Sequence, residues 1–204
     1  KMTRILKPLA LSLAIFFLAG CSSSQKIIEA VDNERAIVNE CKNSNINVEL
    51  DCYDLIAHKN TIAQLRLGIN AKYKGNFTEA KDRYEIAKKQ KNFYANALLA
   101  DLYVNGFGVE MDEKKAISLL KETRKSDPIA AYKLAMFYLL DNDVSDAISL
   151  LEFAGENGVK DAQKQLVIIY SNGQYVDPDF DKNSYWQSKL DENNRDFTKE
   201  IYGR

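Results

Sequence analysis

Alanine and leucine recur along the chain after residue 60 at a fixed spacing. In each copy, leucine follows alanine by four positions, a small or β-branched residue comes next, and a closing residue stands four positions after the leucine. The copies begin at Ala63, Ala95, Ala130 and Ala162, and they close at Ala71, Tyr103, Tyr138 and Tyr170. Positions i, i+4 and i+8 share one helical face. Because the copies are 32, 35 and 32 residues apart, the pattern predicts four stacked repeats.

A second apolar pattern follows the first within each repeat. Residues spaced four and three apart indicate another helical face, and they are Ala80, Tyr84 and Ala87 in unit one and Ala147, Leu151 and Ala154 in unit three. Each unit is therefore predicted to be helix–turn–helix. The turns "GNFTEA" and "NDVSDA" offer N-caps for the second helices, at Asn76 or Thr78 and at Asn142 or Ser145.

Units two and four have a longer turn. The segments "YVNGFGVEMDEKKA" (103–116) and "YSNGQYVDPDFDKN" (170–183) align, with glycine at 106 and 173 and valine at 109 and 176. The glycines are predicted to end the first helix at positive φ, and the valines to plug the turn into the core. These units resemble the Sel-like repeat (SLR), whose pattern is Y-x-x-G-x-G-V-x-x-D-x-x-K-A, with Trp186 at the aromatic position of the second helix. Tyr175 and Asn183 depart from that pattern.

Units one and three lack the insertion and resemble tetratricopeptide repeats (TPR). In "LRLGINAKYKGNFTEAKDRYEIA", leucine, glycine, alanine and tyrosine stand at that family's spacings. The resemblance covers residues 61–190 and implies an all-α fold, an α-solenoid of helix–turn–helix repeats. Residues 26–60 are predicted to form an N-terminal helical cap hairpin, since an end unit needs a finished outer face. Residues 191–204, with Phe197, Ile201 and Tyr202, are predicted to form a short capping helix or a frayed tail.

The first twenty residues have the pattern of a signal peptide. A basic segment after Met2 precedes an apolar run, Leu9 to Gly20, which is too short for a comfortable membrane span of about 20 residues. "LAGC" resembles a bacterial lipobox, which implies that residues 1–20 are removed and that Cys21 carries a covalent lipid. Residues 21–25 would then be a tether. Ser22, in place of Asp, favours the outer membrane. An ordinary signal peptide with an incidental cysteine is the alternative.

The charge balance and the cysteine content narrow the class of protein and of partner further. Removal of residues 1–20 would take away three basic residues and no acidic ones, leaving 25 basic and 29 acidic side chains. That balance argues against nucleic acid as a partner, which requires a basic face. The two cysteines left after Cys21 are Cys41 and Cys52, and the turn formers between them allow a helical hairpin. In an exported chain this pair predicts a disulfide worth about 2–3 kcal/mol, with a reactive or metal-binding pair as the alternative.

Catalytic chemistry is not indicated. The one histidine is His58, and the sequence shows no Ser–His–Asp order, no paired-cysteine metal site and no phosphate loop. Asp112 and Asp179 occupy equivalent places in two repeats, which predicts turn caps and not a catalytic pair. We therefore expect a protein that is not an enzyme and that carries no metal and no cofactor other than the lipid.

In repeats of this kind, the first helix of each unit lines the concave face. The groove positions carried over from the TPR pattern are Ile69, Lys72 and Tyr73 in unit one, Tyr94, Ala97, Asp101, Val104 and Asn105 in unit two, Tyr132, Met136, Leu139 and Leu140 in unit three, and Lys164, Ile168 and Ser171 in unit four. An exposed apolar groove is typical of partner binding, and a charge at Leu139 is expected to abolish binding without unfolding. Alternatively, the C-terminal tail or the curvature buries this groove.

Together these patterns predict an outer-membrane lipoprotein that faces the periplasm and holds a protein or peptide partner. Families of this kind serve secretin assembly, pilus biogenesis, polysaccharide export and envelope maintenance. The alternatives are a pilotin-like escort of an outer-membrane channel subunit and a regulator of a peptidoglycan-processing enzyme.

Overall fold

The computed structural model describes the backbone of residues 18–192 and 195–203, and the side chains from residue 25 onward within those ranges. Most of the predicted signal peptide, residues 1–17, lies outside the described residues, and so does the Cys21 side chain. The described part holds eleven α-helices and no strand: α1 (Leu18–Asn39), α2 (Ile46–Ile56), α3 (Thr61–Tyr73), α4 (Phe77–Lys89), α5 (Ala95–Asn105), α6 (Glu113–Thr123), α7 (Pro128–Leu140), α8 (Val144–Glu156), α9 (Lys160–Asn172), α10 (Phe180–Asp191) and α11 (Phe197–Tyr202).

The predicted α-solenoid is confirmed. Helices α3 to α10 form four consecutive pairs, each helix packs on the next, and the pairs correspond to units one to four. Helices α5 and α7 also contact each other directly, as expected on the inner side of a superhelix. We call the surface formed by α3, α5, α7 and α9 the first-helix face. None of the described helices is long and apolar enough to cross a membrane.

Local signals set the helix boundaries. The predicted cap Asn76 accepts a hydrogen bond from the backbone N–H of Glu79, and Asp112 and Asp179 cap α6 and α10 in the same way. The C-cap residues Gly106 and Gly173 have φ of 66° and 69°, as the long turns predicted.

The prediction for α8 was wrong, because neither Asn142 nor Ser145 is its cap. The N-cap is Asp143, and Asn142 before it has a φ of 60°. The turn needs a residue in the left-handed conformation at position 142, so Asn142 does not also act as the cap. The helix begins at Val144, directly after its cap Asp143.

The core follows the alanine and leucine pattern. The first alanine of each unit is fully buried, as are Ala80, Tyr84 and Ala87 on α4 and Ala147, Leu151 and Ala154 on α8. Trp186 is buried against Gly155, where an added Cβ would lie 2.7 Å from the indole Cζ3. Small residues thus occur where two helices approach each other most closely.

Helices α1 and α2 both pack on α3 at the N-terminal end of the stack. Cys41 and Cys52 form a disulfide, with Cα atoms 5.6 Å apart. Because α1 begins at Leu18, residues 21–25, for which the sequence predicted a tether, are helical in the structure.

The C-terminal segment forms a short helix, α11, of six residues. It is not stacked on unit four as a terminal cap. Helix α11 packs against α3 of unit one, and Ile201 and Tyr202 are buried there. The end of the chain therefore crosses the first-helix face from unit four to unit one.

Candidate partner groove on the first-helix face

A cavity of 300 Å³ lies between the first helices and α11. Five of the predicted groove residues line it, namely Ile69, Lys72, Tyr73, Asp101 and Tyr132. The lining residues that the sequence did not predict are Leu98, Ile129, Lys133, Asp161, Thr198 and Tyr202. The cavity thus has contributions from all four units and from the C-terminal helix.

Asp101 is the electrostatic centre of this cavity. Its carboxylate forms an ion pair with Lys72 of α3, and Lys133 of α7 lies 3.9 Å from it on the other side. All three side chains are one quarter to one third exposed. The charges therefore join three successive first helices, and they are partly accessible to a partner.

Other predicted positions are exposed outside the cavity. Tyr73 is 67% exposed, Leu140 83% and Ile168 46%. Asn105, Lys164 and Ser171 are also exposed, whereas Val104 and Met136 are half-buried against the core. Apolar surface on α3, α7 and α9 is thus accessible at the first-helix face.

Three predicted groove positions are not accessible. Ala97 is fully buried and Leu139 is 5% exposed, so both belong to the core, and Tyr94 is covered by α11. A charge at Leu139 would therefore damage the fold, contrary to the prediction. The reason lies in the sequence of α7, "PIAAYKLAMFYLL", which is apolar around nearly its whole circumference. Hydrophobicity alone does not distinguish its core side from its surface side.

Helix α11 contacts the groove through its apolar residues. The Tyr202 hydroxyl donates a hydrogen bond to the backbone carbonyl of Tyr94, at 2.9 Å. The ring of Phe197 stands edge-on to that of Tyr94, with centroids 5.9 Å apart, and Ile201 is fully buried. The alternative that the tail buries part of the groove is therefore what the structure shows.

Arg66 of α3 holds the end of α11. The guanidinium is buried and donates to the backbone carbonyls of Ile201 (3.2 Å) and Glu200 (2.9 Å). It also donates to the Asn39 side chain at 2.9 Å and to the Tyr53 hydroxyl at 3.1 Å. The partial negative charge at a helix C-terminus favours a cation there. Arg66 thus connects the N-terminal cap, unit one and α11.

No protein-family model and no curated protein matches the sequence. A solved Sel1 repeat protein from Oxalobacter formigenes matches with a TM-score of 0.62 and 22% identity, covering 85% of this chain and 73% of that one. This chain has the fold of Sel1 repeat proteins.

A second solved structure has the same SLR fold. It is a protective antigen present in uropathogenic Escherichia coli strains, with a TM-score of 0.57 and 27% identity. The match covers 75% of this chain but 34% of the antigen chain, so this chain spans about a third of that protein's length. The comparison extends to the repeats and not to the whole antigen.

The SLR solenoid also contains a buried carboxylate that the sequence analysis missed. Asp127 is the N-cap of α7 and accepts a hydrogen bond from the backbone N–H of Ile129 at 2.8 Å. Burial raises the pKa of Asp127 to about 7, against the lowering effect of backbone hydrogen bonds. The signal was available, because Asn60 and Asn92 stand at the same offset before units one and two.

His58 is exposed just after α2, with Nδ1 3.0 Å from the carbonyl of Leu55. Within the described residues, no group of three or more His, Cys, Asp and Glu side chains is arranged to hold a metal ion.

Proposed function

We propose that this protein is a lipid-anchored scaffold that faces the periplasm and binds a protein or peptide partner on its first-helix face. The observation that carries the proposal is that this face already holds a helix. Helix α11 lies on it through buried apolar side chains and two hydrogen bonds from Arg66. An α-solenoid that presents such a face uses it as a binding groove.

The surface left open beside α11 suits a partner. Tyr73, Leu140 and Ile168 expose apolar area on three different first helices, while Lys72, Asp101 and Lys133 supply charge at the centre. Apolar patches with polar neighbours are typical of interaction sites. The partner would contact the exposed apolar side chains and would be aligned by the charges of Lys72, Asp101 and Lys133.

The membrane part of the proposal rests on the sequence. The "LAGC" motif at 18–21 supports lipid attachment to Cys21, and Ser22 supports delivery to the outer membrane. Lipid chains and not a spanning helix would then hold the protein at the bilayer. Secretion, pilus, polysaccharide-export and envelope-maintenance assemblies are the settings this would serve. A pilotin-like escort and a regulator of a peptidoglycan-processing enzyme are the alternative roles, and the identity of the partner separates them.

Photocrosslinking in cells tests the binding face. A photoreactive amino acid would replace Tyr73 or Leu140 on the first-helix face, and Ser118 on the exposed side of α6 as the matched control. We expect one adduct of the same mass from positions 73 and 140, and none from 118. Equal adducts from all three positions, or none from 73 and 140, would contradict the proposal. Mass spectrometry of the adduct names the partner.

Palmitate labelling tests the anchor. The wild-type chain should incorporate labelled palmitate and sediment with outer membranes, and Cys21→Ala should do neither. A wild-type chain that takes up no label would remove the lipid from the proposal and leave the binding face unaffected.

A further inference from the structure

Helix α11 is bound to the first-helix face in the way that a peptide ligand is bound. With six residues it is far shorter than the roughly 12–15 residues that an isolated helix needs for even marginal stability in water. Its partners are distant in sequence, since 108 residues separate Tyr202 from Tyr94 and 135 separate Ile201 from Arg66. Its helical form therefore depends on the surface that holds it.

The site recognises both ends of this short helix. At the start, the backbone N–H of Phe197 donates to the carbonyl of Gly158 at 3.0 Å. At the end, Ile201 and Tyr202 are buried. The anchoring side chains thus follow the pattern Phe-x-x-x-Ile-Tyr, in which Phe197 and Ile201, four positions apart, share one helical face and Tyr202 extends the contact beside it.

Arg66 makes the site specific for a helix C-terminus. A buried guanidinium is costly unless its donors are satisfied, and two of its four acceptors are main-chain carbonyls of α11. The next residue, Gly203, has a φ of 84° and would bring an added Cβ to 3.0 Å from the Arg66 Nε. The site is therefore incomplete without a helix end that is followed by glycine.

The connection to α10 is short. Helix α10 ends at Asp191 and α11 begins at Phe197, so five residues link the two. A short linker gives α11 a high effective concentration at its own site, in the millimolar range for flexible linkers. A partner helix must compete with this effective concentration in order to displace α11 from the site.

From these contacts we infer that the surface around Arg66 and Tyr94 is a receptor for the C-terminal end of a short partner helix, with α11 as its resident occupant. The partner would carry the pattern Phe-x-x-x-Ile-Tyr-Gly, or a close equivalent, and would displace α11. This rests on the proposed function and names the chemistry of the partner that the first-helix face accepts.

A cleavage and exchange experiment tests the receptor. A protease recognition sequence is inserted between Glu192 and Arg195, and the full chain is folded and then cut. A fluorescent peptide with the sequence of residues 195–204, "RDFTKEIYGR", is added and its anisotropy is measured. We expect saturable binding to the cut chain, and at least tenfold weaker binding to the uncut chain because α11 is still attached.

Variant peptides serve as controls and leave the folded chain unchanged. A peptide with Ile201→Asp and Tyr202→Asp should bind at least tenfold more weakly, and Gly203→Val should also weaken binding. Lys199→Ala should bind like the parent, because Lys199 is exposed. Equal binding of all peptides would overturn the inference, and so would a cut chain that loses its helical circular dichroism or fails to bind the parent peptide.

The two proposals fail separately. Loss of peptide exchange, with adducts from positions 73 and 140 retained in cells, would remove the helix receptor and leave the scaffold. Peptide exchange without any adduct in cells would leave the receptor and remove the proposed function.

Discussion

At the scale of single residues, buried caps before the first helices distinguish the units. Asn60 caps α3 through Oδ1, and Asn92 accepts through Oδ1 from the backbone N–H of Tyr94 in the turn before α5. Each uses Nδ2 to donate to a neighbouring element, the carbonyl of Glu34 and the hydroxyl of Thr61 respectively. Asp127 provides the same Oδ1 cap, but its buried Oδ2 accepts no hydrogen bond from the described residues. A carboxylate therefore occupies a place suited to an amide.

This difference makes stability depend on pH. The pKa of Asp127 is about 7 in the folded protein, above the ordinary 3.8. The folded state therefore binds more protons than the unfolded state between these values. The stability that Asp127 contributes is therefore fully present below pH 3.8 and is lost as the pH rises to 7. At 1.36 kcal/mol for each pKa unit, the total loss is about 4 kcal/mol. The free energy of unfolding should fall from pH 5 to pH 8, and Asp127→Asn should flatten this slope, as measured by urea unfolding.

The reverse substitution provides the control. Asn92→Asp places a carboxylate at the equivalent buried position before unit two, and it should introduce a second fall over the same range. The lowered pKa values of Glu156 and Glu200 affect stability at lower pH, outside this window. A wild-type profile that is flat from pH 5 to pH 8 would contradict the account of Asp127.

Two adjacent leucines should behave differently. Leu139 is 5% exposed and Leu140 is 83% exposed. Leu139→Glu buries a charge without a partner, so we expect a loss of several kcal/mol and a large fall in the thermal midpoint. Leu140→Glu should change stability by less than about 0.5 kcal/mol and weaken partner capture. Similar melting curves for the two variants would show that the assignment of core and surface on α7 is wrong.

At the scale of helices, the contact between the two helices of a unit depends on matched side-chain sizes at the positions that face each other. In unit one, glycine at 68 faces the buried ring of Tyr84, and an added Cβ would lie 2.5 Å from the Tyr84 Cε1. At the equivalent positions, unit three has Ala135 and Leu151, both buried. A larger residue on the first helix is accompanied by a smaller one on the second.

The two positions should therefore be coupled. Gly68→Ala gains about 1 kcal/mol of helix propensity, but the clash with Tyr84 should make it destabilising by about 1–2 kcal/mol. In a Tyr84→Leu background, the same change should be neutral or stabilising. Urea unfolding of the four proteins gives the coupling energy, expected at about 1–3 kcal/mol. Additive effects would mean that the helices move apart without cost.

The helix pairs were predictable because their signals are local and periodic. Alanines and leucines at spacings of three and four specify a face, and the glycines of the long turns specify where α5 and α9 end. The turn before α8 was not predictable in the same way, because Asn142 is suited both to capping and to positive φ. The groove was half predictable. The TPR offsets found Lys72 and Asp101 of its charged centre but not Lys133, and they did not show which apolar side chains of α7 face the core.

At the scale of the whole molecule, α11 connects the two ends of the solenoid. Phe197 binds the backbone of Gly158, next to unit four, and Glu200 and Ile201 bind Arg66 in unit one. Arg35 of α1 also lies 3.5 Å from Glu200. No local pattern could have predicted this docking, because it depends on residues more than 100 positions apart. For the segment with Phe197, Ile201 and Tyr202, the sequence predicted a short capping helix or a frayed tail, and it did not predict where the segment docks.

Release of α11 should loosen the stack. With spin labels at Lys74 and Ser171, both exposed, Ile201→Asp should broaden the distribution of distances between the labels and shift it to larger values. The physical reason is that the solenoid otherwise depends on contacts between neighbouring units alone. Lys199→Ala, on the exposed side of the same helix, is the matched control and should leave the distribution unchanged. A distribution that Ile201→Asp does not alter would show that α11 does not restrain the curvature.

The link between Arg66 and residues 200 and 201 also fixes the order in which the chain can finish folding. Unit one precedes α11 along the chain, so its arginine acquires two of its acceptors only after Glu200 and Ile201 have been synthesised. Repeats usually fold from nearest neighbours outward, whereas closing a loop of more than 100 residues is slow. The first unit therefore waits for α11, and a chain that stopped before residue 197 would leave the Arg66 guanidinium without two of its acceptors and open to proteases and chaperones.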